Sequence, residues 1–137
     1  MKKYLVLEEN GKFHEIYEEY YDDSYSMLRE NVGGILQVVS NIPCFQERNI
    51  DLWIHEEGKL LDFLPTIALM SKNQIVDVIN GKIVFAKADA EGETIPLNDS
   101  DIDFIKSVLQ NFKGTIQYQN TFTGTMLTNA VSFIWLQ

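Results

Sequence analysis

Three glycine-marked turns are the feature that most constrains how this chain can fold. Each turn places glycine after Asn or Glu between stretches rich in strand-forming side chains, at Leu7–Phe13, Ile54–Leu60 and Ala88–Thr94. Glycine reaches positive φ at no steric cost, and Asn-Gly, here Asn10-Gly11, is the strongest short hairpin signal. The turns predict an antiparallel sheet built from hairpins, with a tight turn at Gly33-Gly34 between the first two.

The hairpin arms are rich in strand-forming residues, and Phe13–Tyr20 also shows a two-residue period. This pattern predicts strands at Lys3–Leu7, Phe13–Tyr20, Ile50–His55, Lys59–Leu64 and Lys82–Ala88, and a short return strand at Glu93–Leu97. The second hairpin therefore pairs the third of these strands with the fourth.

Other apolar stretches lack a clear period of two. Gly58 is expected in the left-handed conformation, and Pro65 is expected to end the strand before it. The β-rich run Ile35–Val39 predicts a central strand. We expect Thr66–Lys72 to form one or two helical turns, and Gln74–Asn80 to be a connection or a short helix.

The clearest helix signal follows Asn98. Asn is a favoured N-cap residue, and acids in the first turn suit the positive end of the helix dipole. An apolar stripe at helical spacing continues through Ile102, Ile105, Leu109 and Phe112. These residues predict a helix near residues 99–113. A shorter helix is predicted over Tyr25–Asn31, capped by Asp23 or Ser24.

The C-terminal part is rich in Thr and aromatic residues. It predicts strands at Thr115–Gln119, Thr121–Thr125 and Val131–Gln137. We expect one domain over residues 1–137, with 114–137 packed on the same sheet or on a dimer partner. The fold class is α+β, a mainly antiparallel sheet with one clear helix and one or two short ones. An apolar tail must be buried, which favours a homodimer.

Charge and length narrow the functional classes. The net charge of −9, from 20 acids and 11 bases, repels phosphate and argues against nucleic-acid binding. The first apolar run is too short for a signal peptide or a membrane span, so we expect a cytoplasmic protein. The single cysteine, Cys44, excludes an internal disulfide and a cysteine-only metal cage.

Acids are concentrated near the first hairpin. A protein-interaction surface could comprise Glu15, Glu18, Glu19, Asp22 and Asp23. One interpretation is a solvated hairpin face. The other is a phosphate-like surface that occupies a DNA-binding protein.

His55-Glu56-Glu57 is the string that most resembles catalytic machinery. A histidine beside carboxylates can serve in acid–base chemistry, but neighbouring strand residues point to opposite faces. His14 is the only other histidine, which argues against a metal site. We therefore expect no catalytic residues, no metal and no cofactor.

Two glycine steps could bring backbone N–H groups to a ligand. Neither Gly33-Gly34 nor Asn80-Gly81 has the spacing of a phosphate loop, and both also suit simple turns between strands. A small-molecule site needs few signature residues. The candidate ligand-binding residues are Gly33, Gly34, His55, Glu56, Asn80, Gly81 and Lys82.

Five short motifs occur in an order that resembles a known family. They are Val32-Gly33-Gly34-Ile35, Glu56-Glu57-Gly58-Lys59-Leu60, Leu64-Pro65, Asp77–Val84 and Glu91-Gly92-Glu93. Over about residues 1–112 the chain resembles domain of unknown function 3846, a family of phages, plasmids and mobile elements. It departs from that pattern at His55, where the family usually has Asn, and at Thr66-Ile67-Ala68.

The resemblance implies a genome context in which small proteins often block host defence. With no catalytic set in view, we expect a non-enzymatic accessory protein that binds and sequesters a small anionic host molecule, such as a nucleotide signal. The alternative is an acidic antagonist of a host defence or DNA-binding protein, acting as a partial DNA mimic.

Overall fold

Two sheets and three helices account for most of the chain. The computed structural model describes residues 2–136. The strands are β1 (Lys3–Leu7), β2 (Phe13–Tyr17), β3 (Leu36–Val39), β4 (Ile50–His55), β5 (Pro65–Ser71), β6 (Gln74–Asn80), β7 (Ile83–Ala88), β8 (Thr94–Ile95), β9 (Lys113–Asn120) and β10 (Gly124–Trp135). The helices are α1 (Ser24–Val32), α2 (Pro43–Gln46) and α3 (Asp99–Asn111), with a 3₁₀ turn at Glu18–Tyr20. The α+β class with mainly antiparallel sheets is confirmed.

The six-stranded sheet is antiparallel throughout. Its strand order is β2-β1-β7-β4-β3, and β8 pairs with the end of β7. The predicted hairpins at Gly11 and Gly92 are both present, and both glycines have φ of +82°. The turn residues therefore predicted both of these hairpins correctly.

Helices cover both faces of the six-stranded sheet. Met27, Leu28 and Val32 of α1 pack on one face. The other face joins the main core, to which α3 contributes Ile102 and Ile105, among others. Because both faces are covered, the central strands β1 and β7 are almost wholly buried.

The four-stranded sheet has the order β6-β5-β10-β9. β5 and β10 run parallel, with Ile67 paired to Ser132, whereas the other pairs are antiparallel. Its inner face adds Ile67, Leu69 and Ile134 to the main core. Val131 and Ile134 of the tail are thus buried within their own chain, whereas Trp135 is 40% exposed.

The predicted N-cap of α3 is confirmed. Asn98 accepts a hydrogen bond from Asp101 N–H at 2.8 Å, and the Asp101 carboxylate accepts one from Asn98 N–H at 3.1 Å. Asp101 is buried and forms ion pairs with Lys87 and Arg48, at 3.4 and 3.7 Å. These contacts join the start of α3 to the six-stranded sheet. The N-cap of α1 is Asp23, one of the two predicted residues.

The second predicted hairpin is wrong. Glu56–Asp62 form turns instead of a return strand, and Pro65 begins β5 rather than ending a strand. Gly58 does not have positive φ; a Cβ there would lie 2.6 Å from the backbone oxygen of Asn80. Glycine is needed at this position for close approach, not for a left-handed turn.

Three other element predictions are corrected. Thr66–Lys72 is largely β5 rather than a helix, because a strand buried on both faces shows no alternation. Gln74–Asn80 is β6, and Ile35–Val39 contains the edge strand β3 rather than a central one. Two strands replace the three predicted after Gly114, since Thr121 begins a turn. Gln137, the end of the last predicted strand, lies outside the described residues.

Candidate functional site

A cleft of about 520 Å³ opens where the free edges of the two sheets approach each other. One wall is β3 with Ser40 and Asn41, and the other is β6. The end of β4 and the β4–β5 loop close one side. Ile54, Leu69 and Ile79 of the main core form part of its lining. The cleft therefore combines an apolar floor with polar walls.

The wall formed by β3 presents unpaired backbone groups. Within residues 2–136, β4 is the one strand that pairs with β3, in continuous register from Leu36–His55 to Val39–Leu52. Glu56 N–H donates to Ile35 O at 2.9 Å, which fixes the phase of the ladder. Antiparallel pairing alternates, so the N–H and C=O groups of Leu36 and Val38 point away from β4. They face the open side of the sheet.

His55 anchors the loop at the end of β4. Its side chain is 7% exposed, and its Nδ1 accepts a hydrogen bond from Glu57 N–H at 3.0 Å. The ring meets Phe63 edge-on, and a Cβ on Gly34 would lie 2.6 Å from Nε2. The imidazole is packed and hydrogen-bonded, so it orients Glu56 and Glu57 at the cleft rather than standing free for acid–base chemistry.

The β6 wall carries an ion pair and an amide. Lys59 Nζ contacts Asp77 Oδ1 at 2.8 Å. Burial alone would raise the pKa of Asp77, but hydrogen bonds from Lys59 and Val78 and the lysine charge outweigh it and lower the pKa. Asn80 Nδ2 donates to Phe63 O at 2.8 Å, whereas its buried Oδ1 has no partner among residues 2–136.

Carboxylates dominate the charge of the cleft. Glu56, Glu57 and Asp77 face one ammonium, that of Lys59. Glu56 and Asp77 are exposed, so solvent screens their charges, and the excess of carboxylates sets the sign of the local charge. The electrostatic field in the cleft therefore favours a positively charged group over an anion.

The structure brings together some of the predicted ligand-binding residues and separates others. His55, Glu56 and Asn80 line the cleft, and Gly34 packs behind His55. Gly33 instead caps α1, donating its N–H to Arg29 O. Gly81 packs against Phe63, and Lys82 lies near Glu8, 3.6 Å from its carboxylate. These residues were grouped because they lie at or near glycine turns in the sequence, and that criterion does not place them together in space.

Other lining residues were missed by sequence reasoning. Gln37, Ser40, Lys59 and Asp77 all border the cleft. Asp77 was the one with a detectable signal, since it is a lone charge inside a β-rich stretch. It drew no prediction because that stretch was not recognised as a strand.

Structural contacts occupy much of the acidic face of the first hairpin. Glu15 pairs with Lys3 at 3.4 Å, and Asp23 caps α1. Burial, together with the charge of Glu18, raises the pKa of Tyr4 to about 12. Glu19 and Asp22 are exposed. Asp23 is exposed as well, so three of the five predicted residues lie at the surface.

A lysine-lined hollow lies beside the start of α3. Lys2, Lys3 and Lys87 border it, but Lys3 contacts Asp99 at 2.8 Å and Lys87 contacts Asp101. Carboxylates therefore balance two of the three cations.

Burial raises the pKa of the Cys44 thiol, which favours the unreactive protonated form.

Across residues 2–136, no helix is both long and apolar enough to cross a membrane. Over that same part of the chain, no three side chains among His, Cys, Asp and Glu are grouped so that they could hold a metal ion.

Comparison with known proteins places the chain in a family. No curated protein and no solved structure matches it significantly. A family model described as Domain of unknown function (DUF3846) matches residues 1–113, which include the whole cleft and all of the six-stranded sheet. β9 and β10, half of the four-stranded sheet, lie almost entirely beyond the matched region. The chain belongs to the DUF3846 family.

Proposed function

We propose that this protein is a non-enzymatic binding protein that holds a positively charged ligand in the cleft between its two sheets. The observation that carries the proposal is the charge of the lining, in which Glu56, Glu57 and Asp77 oppose a single lysine. The ligand sign differs from the anion expected from the sequence, because an anion entering the cleft would meet these three carboxylates.

The cleft suits a ligand with a cationic end and an aliphatic body. Its volume is within the roughly 300–1,000 Å³ typical of ligand sites. Ile54, Leu69 and Ile79 offer apolar contact, while Glu56 and Glu57 supply acceptors nearer the solvent. Amines and guanidinium groups on alkyl chains have this chemistry.

Binding is favoured over catalysis by the state of the reactive side chains. His55 Nδ1 already accepts a hydrogen bond, and its Nε2 is close to Gly34. Cys44 is half-buried with a raised pKa. A general base or a nucleophile needs a free, accessible atom beside the substrate. Sequestration of a host molecule in counter-defence is the role that we propose for such a binder.

The test is calorimetric titration with spermidine and with ATP. Spermidine is expected to bind, and ATP is expected not to. The double variant Glu56→Gln/Glu57→Gln should weaken spermidine binding about tenfold, equivalent to roughly 1.4 kcal/mol. Glu19→Gln/Asp22→Asn makes the same change in net charge on the first hairpin and should alter affinity less than about twofold.

Two results would reject the proposal. One is equal loss of affinity in both double variants, which would indicate a response to net charge alone. The other is binding of ATP but not spermidine to the wild-type protein, which would restore the anionic ligand expected from the sequence.

A further inference from the structure

We infer that the ligand is an extended, basic polypeptide segment of another protein, which adds to the six-stranded sheet as a new strand beside β3. This inference rests on the proposed function, because it uses the same acidic cleft. It adds the class of ligand and the atoms that hold it.

The edge strand β3 is short, but it carries none of the other features that normally keep a sheet edge unpaired. Such edges are protected by charges, prolines, bulges or a covering element. Leu36-Gln37-Val38-Val39 contains no charge and no proline, and it pairs with β4 in continuous register. Val38 is 41% exposed. At the opposite edge, β2 carries His14 and Glu15, and Glu15 is paired with Lys3. Of the two outer strands of the six-stranded sheet within residues 2–136, β3 is therefore the one whose edge carries no charge.

The backbone of β3 is arranged to accept a strand. Leu36 and Val38 direct their N–H and C=O groups to the open side. The strand spans four residues, or about 13 Å at 3.3 Å per residue. An added strand of similar length would bond to these groups, which is the mode of peptide capture by strand addition.

The charges indicate what side chains that strand would carry. Glu56 and Glu57 lie at one end of β3, and Asp77 lies on the opposite wall. Alternate residues of an added strand face the same side of the sheet. A segment with Lys or Arg at alternate positions would therefore present its charges to the cleft. A second copy of this chain, with its net charge of −9, fits less well.

The experiment uses an acetylated and amidated eight-residue peptide of alternating lysine and valine. Two further peptides carry backbone N-methyl groups, one on every lysine and one on every valine. An added strand bonds to β3 through alternate residues only, so one methylated peptide should lose at least about tenfold in affinity. The other has the same charge and the same number of methyl groups, and it should bind like the parent.

A protein variant gives an independent readout. Val38→Pro removes one outward N–H while leaving the bonds between β3 and β4 in place. It should lower the affinity for the parent peptide by as much as N-methylation of the residues that bond to β3. Val38→Ala shortens the same side chain but keeps the N–H, so it is the reference against which the loss in Val38→Pro is measured. If Val38→Pro does not fold, the peptide pair decides the question alone.

The outcomes separate this inference from the proposed function. If both methylated peptides bind like the parent, strand addition is wrong while a cationic ligand stands. If spermidine binds and no peptide does, the inference is again overturned and the proposed function survives. If neither spermidine nor any peptide binds, both fail.

Discussion

The six-stranded sheet is covered on both faces, whereas the four-stranded sheet is covered by the main core on one. On the face opposite Ile67 and Leu69, within residues 2–136, the second sheet has a small cluster of Ala68, Ile116 and Val131, with Val78 and Phe133 partly buried beside it. The first sheet is stabilised by burial of both faces. The second sheet packs against the core on one face, and its outer strand β6 leaves a gap to β3. The cleft is this gap, and within residues 2–136 neither β3 nor β6 has a second neighbouring strand.

The largest expected effect is a difference in unfolding free energy between core substitutions in the two sheets. Phe85 of β7 is fully buried and meets Phe45 at 5.8 Å, so Phe85→Ala is expected to cost about 3–5 kcal/mol of unfolding free energy. Phe133 of β10 is only partly buried, and Phe133→Ala should cost about 1–2 kcal/mol. Urea unfolding measures both. Equal losses would show that the second sheet is as tightly packed as the first.

The next effect concerns the loop that joins the two sheets. A methyl group at Gly58 would lie 2.6 Å from Asn80 O, so Gly58→Ala should cost roughly 1–3 kcal/mol and displace a wall of the cleft. Gly58→Ala should also lower the affinity for the lysine–valine peptide, as measured by calorimetry. Gly92→Ala strains a turn far from the cleft, where the methyl group meets no atom within 4 Å. If both variants bind equally well, the loop does not shape the site.

A smaller effect tests the helix that packs into the shared core. Asn98→Ala removes the cap of α3 and should cost about 1 kcal/mol, because Asp101 N–H loses its acceptor. Denaturant unfolding measures the loss. Asn98→Asp keeps an acceptor and should be near wild type. A large loss in Asn98→Asp would mean that the amide has a second role.

The smallest effect is a pH dependence confined to α1, which covers only the first sheet. Asp23 has a lowered pKa because Ser26 donates hydrogen bonds to its carboxylate. Its folded value is below the unfolded 3.8, so its stabilisation is complete above that pH and is lost as the pH falls through the folded pKa. Asp23→Asn keeps a cap without the charge. Wild type should be the more stable at pH 7, and the difference should vanish in acid.

The two sheets also differ in how well their strands could be predicted from the sequence. Asn10-Gly11 and Gly92 are local signals, and they correctly fixed both hairpins of the first sheet. β5 is buried on both faces, so it shows no alternation and was mistaken for a helix. Its parallel pairing of Ile67 with Ser132 joins residues that no local pattern connects.

The candidate site was predicted in part for a similar reason. His55, Glu56 and Asn80 sit at turns, where Gly and charged residues attract notice, and they do line the cleft. Gln37 and Asp77 belong to the two edge strands that face each other across it. Their proximity depends on how the sheets pack, which the order of residues does not reveal.

An amide NMR titration of the labelled protein with the lysine–valine peptide locates the binding surface directly. We expect the shift changes to cluster on β3, Glu56–Lys59 and β6, the walls of the cleft. Changes clustered instead on Glu15–Asp23 would place the binding surface on the first hairpin. That result, or a titration without changes, would contradict the central claim.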